Sequence, residues 1–259
     1  MRWDSDHWLH IEESPRHVRV IFGGETIADS KHVMLLREAK CLPVYYFPRD
    51  DVRTDLMAAT HHRTSCPYKG EASYWVVRVG NRVAENAVWS YLDPLPGCTG
   101  IKGYIAFDWP KMDAWYEEDD EIFVHPRDPY KRVDVLASSR HVRVVVAGET
   151  IAESRRPRLL FETNHPIRYY IPKEDVRMEL LEPSPTMSRC PYKGIASYWS
   201  VRVGDKFLKD LVWSYLDPIP ECPKIKGLLC FFQERRATIF VDREQVPVPK
   251  TRWAVEEEE

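Results

Sequence analysis

Apolar and polar residues alternate along this chain over short stretches, and glycine and proline fence the stretches. In His17-Val18-Arg19-Val20-Ile21-Phe22, the residues Val18, Val20 and Phe22 share one face, which is the period of a strand, and Gly23-Gly24 supplies its turn. Glu25–Ser30 reads as the returning strand. Residues 33–37 form another short apolar run, and Val44-Tyr45-Tyr46-Phe47, fenced by Pro43 and Pro48, suits a short aromatic strand. Residues 49–57 predict one helical turn or two, capped by Asp50 or Asp51. Residues 61–65 read as a polar loop that leads into Cys66-Pro67-Tyr68-Lys69-Gly70. Residues 73–79 predict a strand with Gly80-Asn81 as its turn, and residues 83–88 lead into Trp89-Ser90-Tyr91-Leu92-Asp93-Pro94. Residues 101–107 and 111–116 complete the set.

The whole pattern then recurs. Cys190-Pro191-Tyr192-Lys193-Gly194 and Ala196-Ser197-Tyr198-Trp199 repeat Cys66-Pro67-Tyr68-Lys69-Gly70 and Ala72-Ser73-Tyr74-Trp75 at an offset of 124, which holds without a gap from Ser14/Ser138 to Phe107/Phe231. The expected organisation is an N-terminal arm (1–13), a first repeat (14–116), an acidic and proline-bearing linker (117–137), a second repeat (138–244) and an acidic tail (245–259). Each repeat is expected to be mostly β with little helix, and the two to pack as a pseudo-dimer within one chain.

Composition narrows the partners. Lys+Arg 37 against Asp+Glu 40 leaves a net charge of −3 over 259 residues, so no general electrostatic grip on nucleic acid is expected. No apolar run is long enough for a membrane span, and the first residues lack an apolar signal core, so a cytoplasmic setting is expected. The six cysteines contain no C-x-x-C pair; two thiols per repeat do not close a tetrahedral site, and neither a metal nor another cofactor is expected.

About half of the aligned positions carry the same residue in both repeats. Val18/Val142, Val20/Val144, Val77/Val201 and Val79/Val203 are explained by core packing. A second group is chemically distinctive and holds Glu38/Glu162, Tyr45/Tyr169, Tyr46/Tyr170, Arg53/Arg177, Cys66/Cys190, Lys69/Lys193, Trp75/Trp199, Trp89/Trp213, Tyr91/Tyr215, Asp93/Asp217 and Lys102/Lys226.

The blocks H-V-R-V, Y-Y-x-P-x-x-D-V-R, C-P-Y-K-G-x-A-S-Y-W and W-S-Y-x-D-P resemble the domain of unknown function 427 family in its two-copy form, over most of the chain. The resemblance implies a compact β-rich fold, similar in each repeat to the folded sheet of the β-tent group. Relatives of that architecture often hold zinc between two cysteine pairs, which this sequence lacks. A nucleotidyltransferase-like label also travels with the family, yet no G-S followed by a D-x-D pair is present to hold two metal ions on a triphosphate. Cys41-Leu42-Pro43 is replaced by His165-Pro166-Ile167 in the second copy, so the two sites need not be equivalent.

The candidate chemistry centres on the repeated turn. A lysine three residues after Cys66 and Cys190 favours a thiolate; Lys69 and Lys193 are alternatively the reactive or anion-binding groups, and the plain reading is a tight turn with Lys69 paired to Glu38. Glu38 and Glu162 follow apolar residues, where a raised pKa suits acid–base work. Tyr46, Trp75, Trp89 and Tyr91, with Tyr170, Trp199, Trp213 and Tyr215, either pack the core or line a pocket for a planar ligand, and Arg53 and Arg177 join them as substrate-binding candidates. The leading expectation is a small-molecule enzyme or ligand binder with a pocket in one or both repeats. A non-catalytic module for a metabolite or modified residue is the alternative, and nucleotidyl transfer a further one. His61, His62 and His125 lack counterparts, so a repeated site cannot depend on them.

Overall fold

A computed structural model describes residues 7–254 except residue 252. The chain is mostly β and folds as two compact units that divide between Asp128 and Pro129. The first unit contains β1 (Leu9–Glu13), β2 (Val18–Phe22), β3 (Glu25–Ser30), β4 (Met34–Glu38), β5 (Val44–Pro48), β6 (Met57–Cys66), β7 (Gly70–Val79), β8 (Arg82–Ser90), β9 (Tyr104–Phe107), β10 (Ala114–Glu117) and β11 (Asp120–Ile122). The second contains β12 (Val133–Ala137), β13 (Val142–Val146), β14 (Glu149–Ser154), β15 (Arg158–Glu162), β16 (Arg168–Tyr170), β17 (Leu181–Cys190), β18 (Gly194–Val203), β19 (Lys206–Pro218), β20 (Leu229–Phe231), β21 (Ala237–Val241) and β22 (Glu244–Gln245).

Two antiparallel sheets build the first unit, one in the order β1-β4-β5-β9-β8-β7-β6 and the other in the order β11-β10-β2-β3. Strand alternation sorts the apolar residues of the larger sheet onto its two faces. Leu35, Tyr45, Phe47, Ile105 and Phe107 join Val18, Val20, Phe22 and Ile27 in one core cluster. Their chain neighbours Leu36, Tyr46 and Ala106 join Ala72, Tyr91, Cys98 and Ile101 in another. Each fully buried side chain of this size contributes about 1.5–3 kcal/mol relative to exposure. The central strands of the seven-stranded sheet are thus buried on both faces, and the second face carries the candidate site.

The second unit repeats this design. Its sheets are ordered β12-β15-β16, β17-β18-β19-β20 and β14-β13-β21-β22. Reciprocal backbone hydrogen bonds between Ile171 and Leu229, 2.7 and 2.9 Å, link the first two where β5 pairs with β9 in the first copy. The offset of 124 also carries β1 onto β12 and β11 onto β22, so the structural repeat is longer than the sequence identities alone mark.

Several segments depart from the sequence reading. Of residues 117–137, expected as linker, β11 pairs with β10 in the first unit and β12 pairs with β15 in the second, because the run supplies edge strands to both. The arm contributes β1 to the edge of β4. Tail residues beyond β22 are fastened to the second unit: Gln233 Nε2 donates to the carbonyls of Val246 (2.6 Å) and Pro247 (3.1 Å), and Thr251 Oγ1 donates to Glu234 Oε1 (2.8 Å). The last residues of the acidic tail, 255–259, lie outside the described residues. Residues 61–65 form part of β6, not a loop, because a bulge absorbs the break in pattern. Arg49–Asp51 and Thr54–Leu56 are 3-10 turns without side-chain caps, and Asp51 instead accepts a 2.6 Å bond from Ser30 Oγ.

Candidate functional site

The Cys-Pro-Tyr-Lys-Gly turn closes the hairpin between β6 and β7. Gly70 sits at φ 101°, where a Cβ would also approach the Asp93 carbonyl at 3.4 Å, so the turn favours glycine. Leu95 N donates to the Lys69 carbonyl at 3.1 Å and fixes the turn against the segment after β8. This places Lys69 Nζ on Glu38 Oε2 at the end of β4. Both are nearly buried, at 12% and 7% side-chain exposure. The other oxygen, Glu38 Oε1, faces His7 Nε2 at 3.2 Å, and the His7 ring stacks on Tyr68 at 3.4 Å. Burial opposes the Lys69 ammonium, but hydrogen bonding and attraction to Glu38 outweigh it and raise its pKa above an ordinary lysine. Lys69 is therefore a cation in the folded protein, not a poised amine.

Above this pair the first copy has a cavity of about 490 Å³ lined by Glu38, Lys69, Tyr46, Trp89, Tyr91 and nine further residues, Cys41, Val44, His62, Tyr74, Asn86, Asp108 and Lys111 among them. Five of the expected first-copy residues therefore meet around one space. Trp89 Nε1 donates to Tyr46 Oη at 3.2 Å, with the rings edge to face. Burial raises the Tyr46 and Tyr91 hydroxyls, which keeps both neutral. Trp89 and Tyr91 both face the cavity, as alternation along the strand requires.

Three expected first-copy residues do not line it. Trp75 packs on the opposite core cluster, because its neighbour Tyr74 takes the cavity face. Arg53 is half exposed and forks onto Asp55 at 2.9 and 2.8 Å. Cys66 is half-buried beside the second-face cluster rather than on the cavity wall. The exposed thiol at the site is Cys41, which burial first, and then Glu38, holds above an ordinary cysteine.

Two bulges shape the far wall. β6 bulges between Ala59 and Arg63, and the ladder between β7 and β8 shifts between Trp75 and Val77. Thr60 Oγ1 joins them by donating to Asn86 Oδ1 at 2.7 Å, and Asn86 takes φ 49°. A bulge re-aims side chains, and here it brings His62 onto the wall, 4.5 Å from the Tyr74 ring. Lys111 Nζ bonds Asp108 Oδ2 (3.0 Å) and the carbonyls of Glu85 (3.1 Å) and Asn86 (3.2 Å).

The second copy keeps the pair and alters its surroundings. Lys193 Nζ meets Glu162 Oε2 at 2.5 Å, and Lys131, at the position equivalent to His7, meets Oε1 at 2.8 Å. Burial would raise Glu162, but the Lys193 and Lys131 ammoniums outweigh it and hold its carboxyl at about 2. The expected raised pKa is thus reversed there. Lys193 is raised despite burial, the nearby Cys190 and Glu162 both favouring its charged form. Trp213 Nε1 donates to Tyr170 Oη at 3.1 Å, and Tyr215 is buried beside them in the main cluster. Trp199 and Cys190 pack against that cluster, and Arg177 is exposed, bonded to Glu179 at 3.0 Å and Glu149 at 3.3 Å.

Where the first copy has Val44 on the cavity wall, the second has Arg168. Its guanidinium forks onto Glu234 at 2.8 and 2.6 Å and lies 5.4 Å from the Trp213 ring centre, 6.0 Å from Phe232 and 5.7 Å from Trp253. His165, in the place of Cys41, lies 5.8 Å from the Trp253 ring. The second copy thus gathers Arg168, Phe232, Glu234 and Trp253 around Trp213 at the equivalent place.

Among the described residues no helix is long and apolar enough to cross a membrane. Nothing among the curated proteins matches the chain. The family described as a domain of unknown function (DUF427) matches residues 10–118 and again residues 134–245, and the chain belongs to this family as a two-copy member.

Proposed function

We propose that this protein binds a small organic molecule in the first copy, and that the second copy is a scaffold whose equivalent space is filled from within. The observation that carries the reading is the cavity of about 490 Å³ around Glu38, Lys69, Tyr46, Trp89 and Tyr91, set against Arg168 and Trp253 at the same place in the second copy. A volume of this size takes a drug-sized ligand. The aromatic walls pack on a flat body, and the Lys69 ammonium offers donors to an acceptor oxygen of the ligand. The raised Lys69 pKa favours binding over Schiff-base chemistry, and acid–base work by Glu38 requires that its pair with Lys69 first open. Among the described residues no three His, Cys, Asp or Glu side chains cluster as metal ligands, which gives nucleotidyl transfer no support. The six unpaired cysteines suit a reducing, cytoplasmic setting.

The test is a thermal-shift screen of the full chain against aromatic acids, amines and nucleotides. A ligand at about 100 Kd adds about 2.7 kcal/mol. The shift should vanish in Lys69→Met and in Trp89→Leu and persist in Lys193→Met, each variant's own unfolding midpoint being measured alongside. Equal retention in Lys69→Met and Lys193→Met refutes a first-copy site.

A further inference from the structure

We propose that the first-copy cavity takes a cationic group, a guanidinium or a protonated amine carried on a flat body, between the Trp89 indole and the Asp108 carboxylate. This rests on the reading of that cavity as the binding site.

The second copy displays what the equivalent space accepts. Arg168, Trp213, Phe232 and Glu234 stand at the positions of Val44, Trp89, Asp108 and Pro110. The guanidinium of Arg168 has two indoles within 6 Å, those of Trp213 and Trp253, and a carboxylate in bidentate contact. In the first copy the tethered cation is gone, because Val44 is too short to reach the equivalent place. The ring beneath it is kept as Trp89, and a carboxylate returns two positions away as Asp108, where the second copy has Phe232. The first copy therefore lacks the occupant, keeps one of its receptors in the Trp89 indole, and sets a carboxylate on the same cavity wall. Trp253 has no first-copy equivalent on the cavity wall, so the ligand supplies the second flat surface itself.

The charges around the cavity agree with this. Lys111 spends its three donors on Asp108 Oδ2, Glu85 O and Asn86 O, which leaves it none for an anion. Asp108 Oδ1 receives no hydrogen bond from the described residues and remains an acceptor for a cation. Glu38 is engaged by Lys69 and His7, so Asp108 is the carboxylate open to a ligand. Lys69, on the opposite side of the charge balance, is left for an acceptor group. The ligand class is a flat molecule with a cation at the Trp89 end and an acceptor oxygen elsewhere.

Two probes separate this from plain pocket filling: 4-guanidinobenzoate and 4-ureidobenzoate, which share the carboxylate and differ in a cationic against an uncharged head group, titrated into the full chain with tryptophan fluorescence as readout. The guanidino compound should bind about tenfold more tightly, the scale of a desolvated cation on an aromatic face. Asp108→Asn, a partly exposed position, should remove most of that preference, read as the ratio of the two affinities measured in the same variant. Val44→Arg, which gives the first copy the second copy's occupant, should abolish both. Equal affinity of the two probes, still lost in Val44→Arg, overturns the cation and leaves the binding cavity standing. Binding that survives Val44→Arg overturns both. Failure of the guanidino compound to bind overturns the cation, and the cavity then stands or falls on the Lys69→Met and Lys193→Met comparison.

Discussion

Replacing Glu162 by glutamine tests the electrostatics of the repeated pair through acid stability. The Glu162 carboxyl is held at about 2 against an ordinary value of 4.5, with Lys193 and Lys131 outweighing burial. A difference of about 2.5 pKa units corresponds to about 3 kcal/mol of preference for the ionised form in the folded state. The folded value is the lower one. The stabilisation is therefore complete above the unfolded value, near pH 5 and upward, and is lost as pH falls from about 4.5 toward 2. Glutamine has the same shape and no charge to lose, so Glu162→Gln removes this slope. Urea unfolding of the full chain, followed by tryptophan fluorescence at several pH values from 7 to 3, gives the comparison. Glu162→Gln should be several kcal/mol less stable at pH 7, because two buried ammoniums lose their counter-charge. The gap to the parent protein should narrow steadily below pH 4.5, by up to about 3 kcal/mol as pH approaches 2. A gap that stays constant from pH 7 to pH 3 refutes the ionised-pair reasoning.

Two further outcomes follow from the same geometry. Arg168→Leu leaves the fully buried Glu234 carboxylate without its fork and should cost about 3–5 kcal/mol in urea unfolding, whereas Arg168→Leu/Glu234→Leu should recover most of that; equal losses in the two would mean that packing, not charge, governs the site. Cys41 is the exposed thiol and lines the cavity, so a maleimide should label it first in the native chain, and a saturating cavity ligand should slow that labelling, as read by mass spectrometry; labelling unchanged by the ligand would place the ligand elsewhere.

The sequence made the strands legible because alternation reports burial on a sheet face. It also disclosed the Glu38–Lys69 pair, since two charged residues kept in both copies beside apolar runs have few ways to be satisfied. Trp75 and Arg53 were selected by the same comparison and serve other purposes: one packs the opposite cluster and the other closes on Asp55. The cavity residues Cys41, His62, Asn86, Asp108 and Lys111 escaped it for a physical reason. Matching the copies selects what both need to fold, while the lining of the first-copy cavity includes residues that differ: Cys41 aligns with His165, His62 with Thr186, and Asp108 with Phe232. The signal was present in those mismatches. The bulges that aim His62 and Asn86 were hidden because a bulge breaks the alternation by which a strand is recognised, which also made residues 61–65 look like a loop.

The constant offset between the copies has an engineering consequence. With no insertion or deletion from β1/β12 to β11/β22, any strand or turn of one copy can be transplanted into the other without changing a loop length or a ladder register. The chain is in effect a parts kit with two interchangeable sets. Exchanging β5 for β16, or the Asp108–Lys111 turn for Phe232–Arg235, alters the lining of a cavity while leaving the frame around it intact. Such chimeras convert an open half into a filled one, or the reverse, in single steps of known geometry.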